Sequence, residues 1–204
     1  MKLRHSPTSP YVRKVMVLAY ETGLEPRIER IPTVVAPIKP NPEYQRENPL
    51  MKIPALITDE GDVLFDSRVI CEYLDTLHNG PKFFPPSGKA RFVALRQQAL
   101  GDGILDAALL ARYEVGLRPK ELQWSEWFEG QMRKVRGGLA AIDGKIGEGA
   151  FSGPLTIGQI SVGCAVGYLD FRFADEGWRE RHKALAQWYA EFSKRPSMKA
   201  TVPA

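Results

Sequence analysis

The sequence has little cysteine and contains no long hydrophobic run. Only Cys71 and Cys164 occur among its 204 residues, and neither has a second Cys or a His at the spacing that zinc sites use. Two buried thiols are therefore favoured over a disulfide or a zinc site, and no metal site is predicted. No apolar stretch approaches the roughly 18 residues that a membrane-spanning helix requires. We therefore expect no membrane span.

Runs of like charge are also missing. The 28 Lys and Arg are interspersed with 24 Asp and Glu, and the formal net charge is only +4, so nucleic-acid binding has little support. The N-terminal residues lead directly into prolines and lack the apolar stretch of a secretory signal. We therefore predict a cytoplasmic protein.

The first 80 residues alternate strand and helix patterns. After a short strand candidate at Lys2 to His5, apolar residues recur at helical spacing until Gly23. Ser9 is typical of an N-cap, with Pro10 at the first helical position. A second strand near Ile28 precedes a proline-rich loop over 32–49, and a hairpin and a helix capped by Ser67 follow. The predicted order is strand, helix, strand, loop, hairpin and helix.

The rest of the chain shows only helical patterns. Pro85 to Gly88 is the one plausible linker, so we predict a domain over 1–80, a linker over 81–90 and an all-helical domain over 91–204. Long helices are expected at about 89–114, through the apolar stripe from Phe128 to Ile146, and over 157–174, with at least one more near 178–192. Thr156 and Gln159 have the spacing of a capping box at the third of these helices.

Three segments carry a family resemblance. They are Lys2-Leu3 with Ser6-Pro7-Thr8-Ser9-Pro10-Tyr11-Val12-Arg13-Lys14-Val15, then Asn48-Pro49-Leu50-Met51-Lys52-Ile53-Pro54-Ala55-Leu56, and Leu64-Phe65-Asp66-Ser67-Arg68-Val69-Ile70-Cys71-Glu72-Tyr73-Leu74. In this order they resemble the catalytic loop, the cis-proline segment and the γ-glutamyl-binding turn of the soluble glutathione transferase family. The resemblance implies an α/β thioredoxin-like N-terminal domain followed by an all-α helical bundle.

The resemblance to a serine-type bacterial member implies that Ser9 is catalytic. A thiol at a helix N-terminus meets unpaired N–H groups and the positive end of the helix dipole, which lowers its pKa, and a Ser9 hydroxyl would add a hydrogen bond to the thiolate. Thr8 and Ser6 compete for this role, and Ser9 also has the plainer interpretation of a helix cap. No cysteine occupies the loop, which disfavours a disulfide-exchange mechanism.

The other two segments would hold the rest of glutathione. The resemblance implies that Pro54 is cis and that the backbone of Ile53 pairs with the cysteinyl part of the tripeptide. Ser67 would bind the γ-glutamyl carboxylate at a helix N-terminus and Asp66 the α-amino group. Lys52 is a candidate for the glycine carboxylate, although a solvated lysine is the favoured interpretation of this residue.

The resemblance implies an enzyme that conjugates glutathione to a hydrophobic electrophile, with glutathione as substrate and no cofactor. A weakly supported apolar site between the domains would involve Tyr11, Leu109 and Tyr113, which are equally good core residues. A homodimer is expected. Two alternatives stay open: a non-catalytic relative that acts through protein contacts, and a glutathione-dependent peroxidase or reductase.

Overall fold

The computed structural model describes residues 1–203 and divides the chain into two compact units. The first unit comprises residues 1–86 and the segment that begins at Pro196, and the second comprises residues 87–195. The strands are β1 (Lys2–His5), β2 (Glu29–Pro32), β3 (Leu56–Ile57) and β4 (Val63–Leu64). The helices are α1 (Pro10–Glu21), α2 (Pro42–Gln45), α3 (Ser67–Thr76), α4 (Gly88–Gly116), α5 (Ser125–Gly147), α6 (Ile157–Arg172), α7 (Trp178–Arg181), α8 (Lys183–Phe192) and α9 (Pro196–Ala200). The predicted fold class, a small α/β domain followed by a helical domain, is confirmed.

The first unit is built on a mixed four-stranded sheet of order β2-β1-β3-β4. β1 is parallel to β2 and antiparallel to β3, and β3 is antiparallel to β4. β1 and β4 therefore run in the same direction and end at the same edge of the sheet, where β3 begins. We call this the carboxyl edge. Each of these two strands leads from it into a helix, β1 into α1 and β4 into α3.

The start and end of α1 follow the sequence signals. The Ser9 Oγ accepts a hydrogen bond from the Val12 N–H at 3.3 Å, and Pro10 occupies the first turn. After the C-cap, Gly23 has a φ of +70°, the left-handed conformation that glycine adopts without a Cβ clash. The apolar residues that predicted the helix are buried, and α1 packs against α3. The predictions for α1 are confirmed.

The start of α3 differs from the prediction. Asp66, not Ser67, is the N-cap: its Oδ1 accepts a hydrogen bond from the Arg68 N–H at 2.9 Å, and Ser67 is the first helical residue. Asp and Ser cap helices about equally well, so two adjacent candidates leave the start uncertain by one residue. The predicted cap at Ser67 is therefore wrong by one position.

The hairpin strand is also shorter than the run from Ile53 to Thr58 suggested. β3 contains only Leu56 and Ile57, and one further bond, from the Arg4 N–H to the Ala55 carbonyl at 2.8 Å, extends its pairing. Pro54 has no N–H to donate to a neighbouring strand. The segment before β3 is consequently left outside the ladder.

The segment that begins at Pro196 belongs to the first unit, whereas the sequence analysis placed it in the helical domain. α9 packs against α1. The Arg13 Nη2 donates to the Met198 carbonyl at 3.1 Å, and the Ser197 Oγ donates to the Glu21 Oε1 at 2.5 Å. These partners are more than 170 residues apart, and no local pattern reports such a contact.

The second unit is helical throughout, as predicted. α4 packs against α5 and α6, and α5 packs against α8. Gly101 allows the close approach of α4 to α6, because an added Cβ would lie 2.8 Å from the Ser161 carbonyl carbon. The predicted helix near 178–192 is divided at His182 into α7 and α8. Cys71 and Cys164 are buried, and neither forms a disulfide within the described residues. None of the helices within residues 1–203 is long and apolar enough to cross a membrane.

The predicted capping box at the start of α6 is present. The Gln159 Oε1 accepts from the Thr156 N–H at 2.6 Å, and its Nε2 donates to the Phe151 carbonyl at 3.2 Å.

Because Gln159 is buried, we expect Gln159→Ala to lower the free energy of unfolding by about 1 to 3 kcal/mol. Urea denaturation measures this change. Gln187→Ala, at an exposed glutamine of α8, is the matched control and should change stability by less than about 0.5 kcal/mol. Equal effects of the two variants would contradict the role of the box.

Candidate functional site

The loop between β1 and α1 presents three hydroxyl groups at the carboxyl edge. Ser9 accepts the capping bond from Val12 through its oxygen. A hydroxyl has one proton and two lone pairs, so capping leaves the Ser9 proton available for an anionic acceptor. The cap role and a thiolate-binding role are therefore compatible, and the structure does not force a choice between them.

The other two hydroxyls of the loop face each other. The Ser6 Oγ and the Thr8 Oγ1 are 3.3 Å apart, and either atom can be the donor. One proton is used between them, so only one of the two hydroxyls keeps its proton for a ligand. Ser6, Thr8 and Ser9 are all half-buried, and Thr8 remains an alternative to Ser9.

The N-terminus of α1 offers an electropositive environment. The helix has twelve residues and no acidic residue in its first turn. Its first N–H groups have no partner within the helix, and the helix dipole adds positive potential there. An anionic atom placed beside Ser9 would be stabilised by both.

A second helix N-terminus, that of α3, carries Asp66 and Ser67. Asp66 is exposed, and its Oδ1 is used in the cap. Ser67 is only 2% exposed. Its hydroxyl makes no hydrogen bond to another residue within 1–203, and its N–H lies in the first turn, where the helix supplies no acceptor. The α3 terminus can therefore donate to a carboxylate through Ser67.

The segment between these two helices contains the predicted cis-proline. The Ile53–Pro54 peptide bond is cis, which confirms that expectation. Ile53 is half-buried, and its N–H and carbonyl pair with no other residue in the described part of the chain. Lys52 is exposed. The backbone of Ile53 is thus open to an extended ligand that lies along the carboxyl edge.

Two residues that the sequence analysis did not single out hold this segment in place. The Lys52 carbonyl accepts hydrogen bonds from the Tyr44 Oη at 2.6 Å and from the Asn48 Nδ2 at 2.8 Å. The Asn48 Oδ1 accepts from the Leu50 N–H at 3.0 Å, and the Asn48 side chain is buried. Asn48 therefore fixes the backbone immediately before Ile53. It belongs to the Asn-Pro pair in the cis-proline segment, and that pair was the signal available in the sequence.

Strand β1 is tied to the same loop through Arg4. Its Nε donates to the Glu47 Oε2 at 2.7 Å, and its Nη2 pairs with the other oxygen of Glu47. This bidentate contact with Glu47 raises the pKa of Arg4 above its ordinary value. The Arg4 guanidinium also lies 5.6 Å from the centre of the Tyr44 ring, and burial raises the pKa of the Tyr44 phenol. Tyr44 thus stays neutral and donates a hydrogen bond to the Lys52 carbonyl.

The three segments meet because of the strand directions. Loop 6–9 follows β1, the turn at Asp66 follows β4, and Ile53 precedes β3, so all three lie at the carboxyl edge. This edge combines a helix terminus that can donate to a carboxylate, an open backbone and a second helix terminus with hydroxyl donors. Such a set suits a short anionic peptide that carries a group ionised near α1.

The residues proposed for the apolar site lie in both units. Tyr11 is half-buried in the first turn of α1. Leu109 and Tyr113 are half-buried on α4, one turn apart on the same helix face. Burial raises the pKa of the Tyr113 phenol. Within residues 1–203, no group of three His, Cys, Asp or Glu side chains is arranged to hold a metal ion.

Comparison with known proteins places these segments in a family. Residues 8–77 match the family model of the glutathione S-transferase N-terminal domain, and residues 125–191 match that of the C-terminal domain. The uncharacterized GST-like protein YibF of Escherichia coli K12 is 32% identical over 204 residues, which cover 100% of this chain and 98% of that protein.

Solved structures of similar proteins agree. A glutathione transferase family member from Pseudomonas fluorescens Pf-5, with bound glutathione, is 49% identical and superposes with a TM-score of 0.95, covering 100% of this chain and 98% of that chain. A glutathione S-transferase from Methylobacillus flagellatus KT, with glutathione bound, is 38% identical with a TM-score of 0.91, covering 100% and 99%. The matches extend over the whole chain and include both domains, and the chain therefore belongs to the glutathione S-transferase family.

Proposed function

We propose that this protein is a glutathione transferase that binds glutathione as the thiolate and conjugates it to a hydrophobic electrophile. The observation that carries the proposal is the meeting of loop 6–9, Ile53 and the α3 N-terminus at one edge of the sheet. Similar chains from P. fluorescens and M. flagellatus hold glutathione in their structures, which supports glutathione as the ligand.

Each part of glutathione has a proposed partner. The Ser67 hydroxyl and N–H bind the γ-glutamyl carboxylate, and Asp66 binds the α-amino group through the carboxylate oxygen that does not cap α3. The backbone of Ile53 pairs with the cysteinyl residue. Lys52, the residue directly before Ile53, is the candidate partner of the glycine carboxylate. The Ser9 hydroxyl donates a hydrogen bond to the thiolate sulfur, with the Thr8 hydroxyl as the alternative donor.

The chemistry requires only the thiolate. The bound thiol releases its proton to water, and the sulfur uses the freed electron pair to form a bond to an electrophilic carbon. The carbon releases a leaving group, or an addition product takes up a proton. Glutathione is consumed as a substrate, so no cofactor takes part. We propose a homodimer in the cytoplasm, with Tyr11, Leu109 and Tyr113 as candidate contacts for the electrophile.

A binding assay and an activity assay test the proposal together. Calorimetry should detect glutathione binding, and a chlorinated dinitrobenzene should be conjugated in a glutathione-dependent reaction. Absence of binding would favour a relative that acts through protein contacts. Binding with peroxide reduction but no conjugation would favour the peroxidase alternative.

The Ser67→Ala variant tests the carboxylate contact. Removing the Ser67 hydroxyl deletes a hydrogen bond to the γ-glutamyl carboxylate, and such a bond to a charged group contributes about 1.5 to 3 kcal/mol. The glutathione Kd should therefore rise roughly tenfold or more. Because Asp66 is the cap of α3 and the Ser67 hydroxyl bonds no other residue within 1–203, the free energy of unfolding should change by less than about 1 kcal/mol. Calorimetry and urea denaturation measure the two quantities. Ser193→Ala, in the second unit, is the control, and an unchanged Kd for Ser67→Ala would remove this residue from the site.

The Ser9→Ala variant tests thiolate stabilisation. Losing one hydrogen bond to the thiolate should raise the pKa of bound glutathione by on the order of 1 to 2 units, since one unit corresponds to about 1.4 kcal/mol. The acid limb of the rate profile should therefore move to higher pH, while activity persists because the α1 N–H groups remain. Titration of the thiolate absorbance in the complex measures the pKa.

Thr8→Ala is the matched variant in the same loop. Its titration should follow that of the wild type, because the Ser6 and Thr8 hydroxyls are partners of each other. A shift in Thr8→Ala with none in Ser9→Ala would move the donor role to Thr8. No shift in either variant would assign the role to Ser6 or to the backbone alone.

Asn48 is proposed as a positioning residue, because it holds the Lys52 carbonyl without being part of the glutathione contacts. Asn48→Ala should raise the KM for glutathione by about tenfold, the effect of losing a buried hydrogen bond of about 1 to 1.5 kcal/mol. The KM for the electrophile should stay within about twofold. Steady-state kinetics with each substrate varied in turn distinguishes the two, and an equal rise in both KM values would indicate general disorder of the fold.

A further inference from the structure

A cavity in the first unit lies on the opposite side of β1 from Tyr44. It has a volume of about 100 Å³ and is bounded by the start of loop 6–9, α1, β2 and the segment after α9. Its polar lining includes His5, Ser6, Arg13, Arg30 and Thr201. We call it the Arg13 cavity. Ser6 of loop 6–9 lines it, whereas Ser9, Ile53, Asp66 and Ser67 do not, so of the candidate glutathione contacts the cavity shares only the Ser6 alternative.

Arg13 is a buried cation that meets no carboxylate among the described residues, 1–203. Its side chain is only 6% exposed. The guanidinium donates to two neutral oxygens, the Met198 carbonyl at 3.1 Å and the Thr201 Oγ1 at 3.4 Å. No carboxylate within residues 1–203 pairs with it, and the group has five N–H donors. A buried charge is costly unless an opposite charge or a full set of acceptors meets it.

His5 adds a second unpaired donor group to the cavity. It shares a sheet face with Leu3, two residues earlier in β1, because side chains alternate along a strand. Its ring makes no hydrogen bond to another described residue, although it is half-buried. Burial and the nearby Arg30 lower the pKa of His5. Without a bound anion, the cavity therefore disfavours the charged form of the His5 ring.

Arg30 completes the basic lining from β2. Its Nη2 contacts the Glu25 Oε1 at 2.5 Å and the Tyr20 Oη at 3.0 Å. Glu25 lies in the short 3₁₀ turn before β2 and does not line the cavity. The charged lining thus consists of two guanidinium groups and one imidazole, with no carboxylate.

We propose that the Arg13 cavity binds a small free oxyanion, of the phosphate or carboxylate type, with Arg13 as its principal partner. The cavity volume of about 100 Å³ suits an anion of four or five heavy atoms. The anion accepts hydrogen bonds from the unused N–H groups of Arg13, and His5 and Arg30 meet it from β1 and β2. This site goes beyond glutathione conjugation and does not depend on it.

The His5 pKa is a direct readout, because an anion in the cavity favours the charged ring. The protein contains three histidines, so His78 and His182 are internal controls in the same NMR spectrum. In saturating phosphate, we expect the pKa of His5 to rise by about 1 unit relative to chloride at equal ionic strength. A parallel titration with acetate distinguishes a tetrahedral from a planar oxyanion. If the pKa of His5 is the same in phosphate as in chloride, the effect is general screening and the site is overturned.

The Arg13→Gln variant tests the principal contact. We expect the phosphate Kd, measured from the His5 shift, to rise at least tenfold, and Arg13→Lys to recover part of the affinity. Arg27→Gln is the control, because Arg27 is exposed and pairs with Asp59. If Arg13→Gln fails to fold, Arg30→Gln takes its place and should raise the Kd at least threefold. A wild-type phosphate response in the folded variant would overturn the proposal.

Discussion

The parallel alignment of β1 and β4 is the constraint on which the proposed glutathione site depends. These strands are not neighbours, and β3 lies between them and runs the other way. Their common direction places the N-termini of α1 and α3 at one edge of the sheet. The same arrangement brings Ile53 to that edge, because β3 starts where the other two strands end. A slip of the hairpin register would move Asp66 and Ser67 relative to Ile53.

The segment before Pro54 has no ladder to fix it and depends on side chains instead. The Lys52 carbonyl is held by Tyr44 and Asn48, and Arg4 of β1 reaches Glu47 beside them. Two layers of support thus connect the central strand to the open backbone of Ile53. Arg13 of α1 donates to the Met198 carbonyl in α9 and to Thr201 just after it. The first unit thus contains two polar regions, one proposed for glutathione and one for a small oxyanion, and loop 6–9 borders both.

Local patterns predicted most of the elements and part of the site. Ser9 and Pro10 mark the start of α1 in the sequence, and Asn48-Pro49 with Ile53-Pro54 identified the family. These motifs are local: each lies within a few residues of the helix start or turn that it predicts. Adjacent cap candidates at Asp66 and Ser67 were harder to separate, since Asp and Ser cap helices about equally well.

Contacts between distant parts of the chain were outside the reach of these patterns. The Arg4–Glu47 pair spans 43 residues, and the Arg13 contact to Met198 spans 185. Neither separation matches the short spacings by which helices and strands bring residues together. The sequence analysis therefore assigned Arg13 only to a motif and α9 to the helical domain. The Arg13 cavity follows from that same long-range packing.

The central claim is that glutathione lies along the carboxyl edge with its sulfur at the start of α1. A crystal structure of this protein with glutathione tests it most directly. We predict the sulfur within hydrogen-bond distance of the Ser9 Oγ, the γ-glutamyl carboxylate on the hydroxyl and N–H of Ser67, and the cysteinyl backbone paired with Ile53. Glutathione bound elsewhere, or bound here with its sulfur directed away from loop 6–9, would contradict the account.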